Sequence, residues 1–178
     1  AFAKKFKDLS VLHFDAHSDR RDSYEGDKLS HASAMARAEE IIKDVVPSAE
    51  ETAKDVISVG IRSMDSSELK SIKQDKIFYA EEIRKSKDLI KKSTDKLSKN
   101  VYITIDLDVF DPSIMPSTGT PEPGGLDWYQ VIDLLKEVSL TKNIVGFDVV
   151  ELMPTANKAP DFLAAKLIYK LLSYKFCL

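Results

Sequence analysis

The sequence predicts an α/β protein of three layers, with a mainly parallel sheet between two layers of helices. Two observations carry that prediction. Short apolar, β-branched runs alternate with helix-like segments along the chain, the order expected when crossover helices join parallel strands. Acidic residues then stand just past several of those runs, at Asp15, Asp106 and Glu151, which is where open parallel sheets bind their ligands.

The elements follow in order. A polar, helix-like stretch covers residues 1–8, and the first strand covers 10–14. Past a polar loop, 32–45 reads as a helix and 55–62 (DVISVGIR) as a second strand. Ser66 and Ser67 stand where they would cap a short helix running to Gln74, since Glu68 and Leu69 fall in its first turn. Residues 76–79 form a short strand, 80–99 a long lysine-rich surface helix, and 101–105 the next strand. Four prolines and three glycines between Phe110 and Gly125 demand a shaped loop. Residues 127–138 form an amphipathic helix with Asp127 as cap, and 143–149 the last strand. Leu163, Leu167 and Leu171 then mark a closing helix over 160–174.

Bulk composition bounds the function. With 178 residues, 43% hydrophobic and 31% charged, the chain fits one domain with a real core. A net charge of −3 gives no electrostatic case for nucleic acid or an anionic membrane as partner. No apolar run has the length to span a bilayer. The lone Cys177 excludes an internal disulfide framework and a thiolate cluster, and predicts a reducing, cytoplasmic setting.

Chemistry concentrates in two stretches. FDAHSD carries Asp15, His17 and Asp19 at alternating positions; TIDLDVFDP carries Asp106 and Asp108, with Leu107 between them. Residues two apart on a strand point the same way. If the two strands are neighbours, four carboxylates and an imidazole face one place. Taking such charges out of water costs several kcal/mol per ion, so a charge of about +4, as from two divalent cations, is required among them. Oxygen ligands with one imidazole and no sulfur suit Mn²⁺, with Mg²⁺, Co²⁺ or Zn²⁺ as alternatives. Two such ions sharing a water would strip it to hydroxide, so hydrolysis is the expected reaction class. One structural Ca²⁺ or an acidic surface loop is the plainer alternative.

FDAHSD, TIDLDVFDP with PSTGTPEPGG behind it, and FDVVELMP resemble the ureohydrolase family of arginases and agmatinases. The likeness spans nearly the whole chain, and STGTPEPGG is closer to the agmatinase branch; SHASAMARA matches it more loosely. The resemblance implies an arginase/deacetylase-like fold and two Mn²⁺ ions that cleave a guanidino group to urea and an amine. Carried over, Asp15 and Asp106 would bridge the ions, Asp19 would complete one, and His17 with Asp108 the other. A metal-bridging hydroxide, hydrogen-bonded to Asp19, would attack the guanidinium carbon. Glu151 would pair with the planar guanidinium; its plainer reading is a strand-end charge in solvent. His31 would relay a proton to the leaving amine, a task suited to histidine. It could equally be a helix-start histidine behind a Ser30 cap. The family also has a histidine ligand in a GGDHS-like segment before the first strand seen here. The domain over 1–178 is therefore expected to lack the family's N-terminal portion, to bind metal weakly and to turn over slowly as given.

Other residues are assigned plainer roles. His13 shares the parity of Asp15 but is read as a hydrogen-bonded core histidine. Arg20 and Arg21 are read as a solvated loop, Asp111 as a turn former, Thr118, Gly119 and Thr120 as pocket wall, and Trp128 as a core anchor. The expected substrate is agmatine, cleaved to putrescine and urea, with guanidinobutyrate or arginine next. Glu25, Asp27 or Glu122 would favour a distal ammonium, whereas Arg21 would welcome a carboxylate. The loop over 155–160 departs from the family's usual reading. The resemblance further implies a homo-oligomer, a trimer or hexamer. The rival from another class is a binding or regulatory protein that keeps the fold without turnover. A deacetylase-like amide hydrolase ranks below it, because that chemistry uses histidine pairs and this chain has three unpaired histidines.

Overall fold

Strand β1 (Leu9–Phe14) is buried at all six positions, as a strand with neighbours on both edges and helices on both faces must be. It lies at the centre of a parallel sheet formed with β2 (Val56–Ile61), β3 (Ile77–Tyr79), β4 (Asn100–Asp106) and β5 (Asn143–Val150), in the order β3-β2-β1-β4-β5. The computed structural model describes residues 1–45, 55–70, 72–86 and 88–177.

The helices are α1 (Phe2–Lys5), α2 (Ala34–Val45), α3 (Ala80–Lys85), α4 (Asp88–Asp95), α5 (Trp128–Thr141) and α6 (Ala159–Cys177). Strand parity divides them into two layers. Leu12 and Phe14 of β1, Ile57 and Val59 of β2, and Val101, Ile103 and Ile105 of β4 face α3–α6 in one core, closed by Ile83, Leu134, Leu135, Leu167 and Leu171. Each such side chain contributes about 1.5–3 kcal/mol on burial, so this face carries most of the apolar stabilisation. The opposite face is thinner. Val11 and Val56 pack under Met35 and Ile42 of α2, while Phe2 of α1 lies against Tyr102, with ring centroids 4.9 Å apart. The rest of that face is polar and opens on a cavity. The three-layer arrangement matches the expectation from sequence.

Some elements differ from that expectation. Residues 80–99 form two helices, because Ser86 leaves α3 with an extended backbone while its N–H still bonds Glu82 O. Lysine-rich composition carries no signal for that break. The helix expected after Ser66 is two single 3₁₀ turns, Glu68–Lys70 and Gln74–Lys76. Its start is set by Asp65, whose Oδ1 accepts from Ser67 N at 2.9 Å and Ser67 Oγ at 2.6 Å. Asp127 does cap α5, in a reciprocal box with Gln130. Among the described residues, no helix is long and apolar enough to cross a membrane.

Gly60 sets how closely the two functional loops approach. It interrupts the β2–β3 register with φ +95°, and a Cβ there would lie 2.6 Å from Val109 Cγ2 and 3.0 Å from Asp15 O. Gly26 has φ +83° but open space around it. Gly26→Ala should therefore cost only the left-handed backbone, about 1–2 kcal/mol. Gly60→Ala should cost that plus about 1–3 kcal/mol of overpacking. Urea unfolding of the two variants checks the order; equal losses would show that Val109 and Asp15 yield freely.

Candidate metal centre

Parallel pairing of β1 with β4 places Phe14 beside Ile105, so the residues that follow, Asp15 and Asp106, leave the sheet side by side. From there loop geometry, rather than strand alternation, aims the side chains. Asp15 N still bonds Val59 O at 3.1 Å, and Asp15 Oδ1 accepts from His17 N at 2.6 Å, folding the loop back. Asp106 caps a 3₁₀ turn, Leu107–Val109, by accepting from Asp108 N at 2.9 Å. That turn swings Asp108 across to β1, where its Oδ1 accepts from Ala16 N at 2.9 Å. Asp19 has φ +52°. Its carbonyl accepts from Met35 N and Ala36 N at the start of α2, and its side chain faces the cavity.

The cavity, about 1000 Å³, is lined by Asp15, His17, Asp19, Asp106, Asp108, His31 and Glu151 together. All seven residues singled out from sequence meet there. Among the described residues, two trios have ligand atoms within 4.8 Å of one another: Asp15, His17 and Asp108, and His13, Asp15 and Asp19. Asp15 is common to both, as a bridging carboxylate between two ions would be. Glu151 has φ +64° and lies across the cavity beside Gly119. His31 begins a 3₁₀ turn, His31–Ser33, with its ring edge-on to Tyr24 at 5.5 Å. The Ser30 hydroxyl forms no cap for it.

Electrostatics test whether these residues fit cations. Burial, then the charges of Asp15 and Asp108, push Asp106 up to about 9. Burial and Asp15 push Asp19 up to about 8. Hydrogen bonds to Asp108 and then Asp15 push His17 up to about 10. Burial also raises the Asp15 carboxyl, but its contacts with His13 and His17 more than reverse this and hold it well below the usual range. Two carboxyls raised by burial and by the charge of neighbouring carboxylates, with the His17 ring 3.0 Å from Asp108, form a cluster that added positive charge would stabilise. A pair of divalent cations fits the donor set: carboxylate oxygens, one or two imidazole nitrogens and no sulfur.

Several residues at the site were missed or misread from sequence. Arg20 is not solvated: it is 5% exposed, with its Nε donating to Glu39 Oε1 at 2.8 Å. Glu68 is buried and accepts from Ser18 Oγ at 2.5 Å, Arg20 N at 2.7 Å and Asp65 N at 2.6 Å, tying down the loop that carries Asp19. Arg62 donates to the carbonyls of Asp108, Gly60 and Glu122, clasping the second cluster. Further acids on the cavity wall are Asp65, Glu68 and Asp148; Glu25 and Asp27 do not line it, while Glu122 Oε1 lies 3.9 Å from His17 Nε2. Gly119 and Thr120 line the wall, while Thr118 is buried behind it. Asp111 shapes its turn by accepting from Ser113, Gly124 and Gly125 N, and Trp128 stacks on Phe110 at 6.2 Å. None of the long-range partners, Glu68 and Arg62 above all, has a local sequence signal.

The signs of these shifts predict a pH response. Asp19, Asp106 and His17 all bind protons more tightly folded than unfolded, so stability falls as pH rises from about 4, near the ordinary carboxyl value, to about 10. Cation binding must displace those protons. Thermal unfolding with chelator should show the midpoint falling over that window, and added Mn²⁺ should restore more at high pH than at low. Calorimetry in buffers of different ionisation enthalpy should record proton release at neutral pH. A cation response independent of pH would contradict the assignment.

Comparison with known proteins identifies the family and the fold. A model of the arginase family matches residues 1–173. N(1)-aminopropylagmatine ureohydrolase of Thermus thermophilus is 38% identical over 170 residues, covering 94% of this chain and 54% of that protein. Agmatinase of Bacillus cereus is 34% identical over 157 residues, covering 86% and 50%. The crystal structure of agmatine ureohydrolase from Thermoplasma volcanium superposes with a TM-score of 0.78 at 32% identity, covering 96% of this chain and 56% of that one. The chain thus spans about half the length of the relatives it matches. With the family model covering nearly every residue and the acidic clusters meeting in one cavity, the chain belongs to the arginase family.

Proposed function

We propose that this chain carries the metal and guanidinium-binding groups of a cytoplasmic binuclear-manganese ureohydrolase, which cleaves a linear guanidino compound to urea and an amine. The observation that supports it most is the meeting of Asp15, Asp19, Asp106, Asp108 and His17 in the cavity that also holds Glu151. Asp15, Asp19, Asp106, Asp108 and His17 would hold the ions. When bound, the ions would lower the pKa of a water so that it is a nucleophile near neutral pH. Glu151 would hold the guanidinium by a charge-assisted pair and present its carbon to that water. Asp19 would accept a hydrogen bond from that water, and His31 would deliver a proton to the departing amine nitrogen.

The substrate proposed is agmatine, giving putrescine and urea, or an agmatine extended by an aminopropyl group, as the name of the Thermus relative suggests. The cavity wall supports a second cation on the substrate rather than a carboxylate. Asp65, Asp148 and Glu68 line it, while Arg21 is engaged, 3.7 Å from Asp65 and over the Tyr24 ring at 5.1 Å. Assembly into a trimer or hexamer is proposed from the family alone.

The test is urea release by the Mn²⁺-loaded protein carrying this chain. Agmatine and aminopropylagmatine should exceed guanidinobutyrate and arginine by at least about tenfold, the worth of one charge-assisted contact. No urea from any of the four would leave only a non-catalytic member of the family. Glu151→Gln should lower kcat/KM for agmatine by about 10- to 100-fold through loss of that contact. His31→Ala should lower kcat by about 10²-fold or more, with KM little changed; a KM effect alone would remove His31 from proton transfer.

A further inference from the structure

One row of the sheet lies directly beneath the metal carboxylates. Ser58, His13, Thr104 and Asp148 are register partners across β2, β1, β4 and β5. His13 is 2% exposed and reaches up from this row: its Nε2 is 2.8 Å from Asp15 Oδ2, and its Nδ1 is 3.0 Å from Ser58 Oγ. Ser58 Oγ is also 2.9 Å from Arg20 Nη1. Arg20 anchors the far end, donating besides to Ser18 O and Glu39.

With a single proton on the His13 ring, this buried chain has one consistent order. A guanidinium can only donate, so Ser58 Oγ accepts from Arg20. The Ser58 hydroxyl proton then needs an acceptor, and the contact it has is His13 Nδ1. An N–H at Nδ1 would leave that buried hydroxyl proton without one, which is penalised. Nδ1 is therefore the acceptor, the ring proton sits on Nε2, and Nε2–H donates to Asp15. The same order decides what His13 is. It falls within the trio of His13, Asp15 and Asp19 that could surround an ion, but a nitrogen that carries a proton has no lone pair to give a metal.

We propose that His13 is a positioning residue and not a ligand: Arg20, through Ser58, fixes its Nε2–H tautomer, and that N–H holds the bridging carboxylate of Asp15 in place. The proposal rests on the binuclear reading of the site. A carboxylate oxygen has lone pairs for both an ion and this hydrogen bond, so the contact survives metal binding. Bonds of this kind that orient a ligand carry about 10- to 100-fold in metal affinity.

Two measurements test it. Because the chain has three histidines, long-range ¹H–¹⁵N correlation of ¹⁵N-histidine-labelled, metal-free protein resolves each ring, with His13→Gln assigning the signal. The expected pattern is an Nε2–H ring with an unprotonated Nδ1; an Nδ1–H ring, or a proton on both nitrogens, overturns the proposal. In the second measurement Mn²⁺ affinity is compared in His13→Gln, whose amide reaches the Nε2 position, and His13→Asn, whose amide reaches only Nδ1. Gln should bind within about threefold of wild type and Asn about 10- to 100-fold more weakly. Equal affinity in the two variants overturns the proposal. If His13→Asn does not fold, the spectrum of the wild-type chain decides. Failure of the wild type itself to bind Mn²⁺ would instead refute the binuclear reading, and the ring tautomer is read without any metal.

Discussion

Carboxylates at the ends of two adjacent parallel strands cannot share a buried cavity unless something offsets their mutual repulsion. That constraint governs the polar half of this molecule. Asp15 and Asp106 leave the sheet side by side because β1 and β4 are neighbours in register, and Asp19 and Asp108 are brought back to them by loop hydrogen bonds. At an effective dielectric of about 20, a pair of unit charges 4 Å apart interacts by about 4 kcal/mol. Several such repulsions together rival the whole stability of an ordinary domain. Burial and neighbouring carboxylate charge raise the carboxyls of Asp19 and Asp106, and the carboxylates of Asp108 and Asp15 raise the His17 imidazole, so all three favour their protonated forms. Cations in the same place would release those protons, so the groups that bind metal are the groups that destabilise the fold without it.

Such a site needs rigid backing, and two buried charged residues, Glu68 and Arg20, provide it with the half-buried Arg62. Glu68 gathers Ser18, Arg20 N and Asp65 N around one carboxylate. Arg62 clasps the carbonyls of Gly60, Asp108 and Glu122. Arg20 runs beneath both the α2 start and β2, bonding Glu39, Ser18 O and Ser58. A buried charge left unpaired costs several kcal/mol, so each of these residues is held by its partners as firmly as it holds them. The apolar core on the far side of the sheet lets this happen. Leu12, Phe14, Ile103 and Ile105 pack against α3–α6, which frees the near face to be polar.

Much of this was legible in the sequence, for a definite reason. Apolar runs followed by acids are local patterns, and they located the parallel strands, the order of elements and six of the seven residues that meet in the cavity; His31 came from the family resemblance alone. The alternation argument reached the right residues by an incomplete route. β1 ends at Phe14 and β4 at Asp106, so Asp108 is aimed by a 3₁₀ turn and Asp19 by a left-handed residue, neither of which two-residue parity describes. What stayed hidden depends on partners far along the chain. Arg20 looks like half of a charged dipeptide in a loop; only the approach of Ser58 and Glu39 makes it a buried anchor. Glu68 looks like a helix-start acid until the fold brings Ser18 to it. His13 has the parity of a ligand and the depth of a core residue, and no local pattern separates the two.

Charge balance in the cavity also bears on what it would admit. Two divalent ions would neutralise Asp15, Asp19, Asp106 and Asp108, leaving Glu151, Asp65, Glu68 and Asp148 as further acids on the wall. Glu68 is enclosed by its donors, and Asp148 accepts from Tyr102 Oη at 2.8 Å and Thr104 Oγ1 at 2.6 Å. Glu151 has no such hold: it stands exposed beyond β5, on a left-handed residue that turns it inward. Asp65 is partly balanced by Arg21 at 3.7 Å. The acid least engaged by protein therefore faces the proposed ions, and a second lies toward the loop that carries Arg21 and Tyr24. A dication with a guanidinium at one end and an ammonium at the other matches that order. A molecule ending in a carboxylate would compete for Arg21 with Asp65 and the Tyr24 ring.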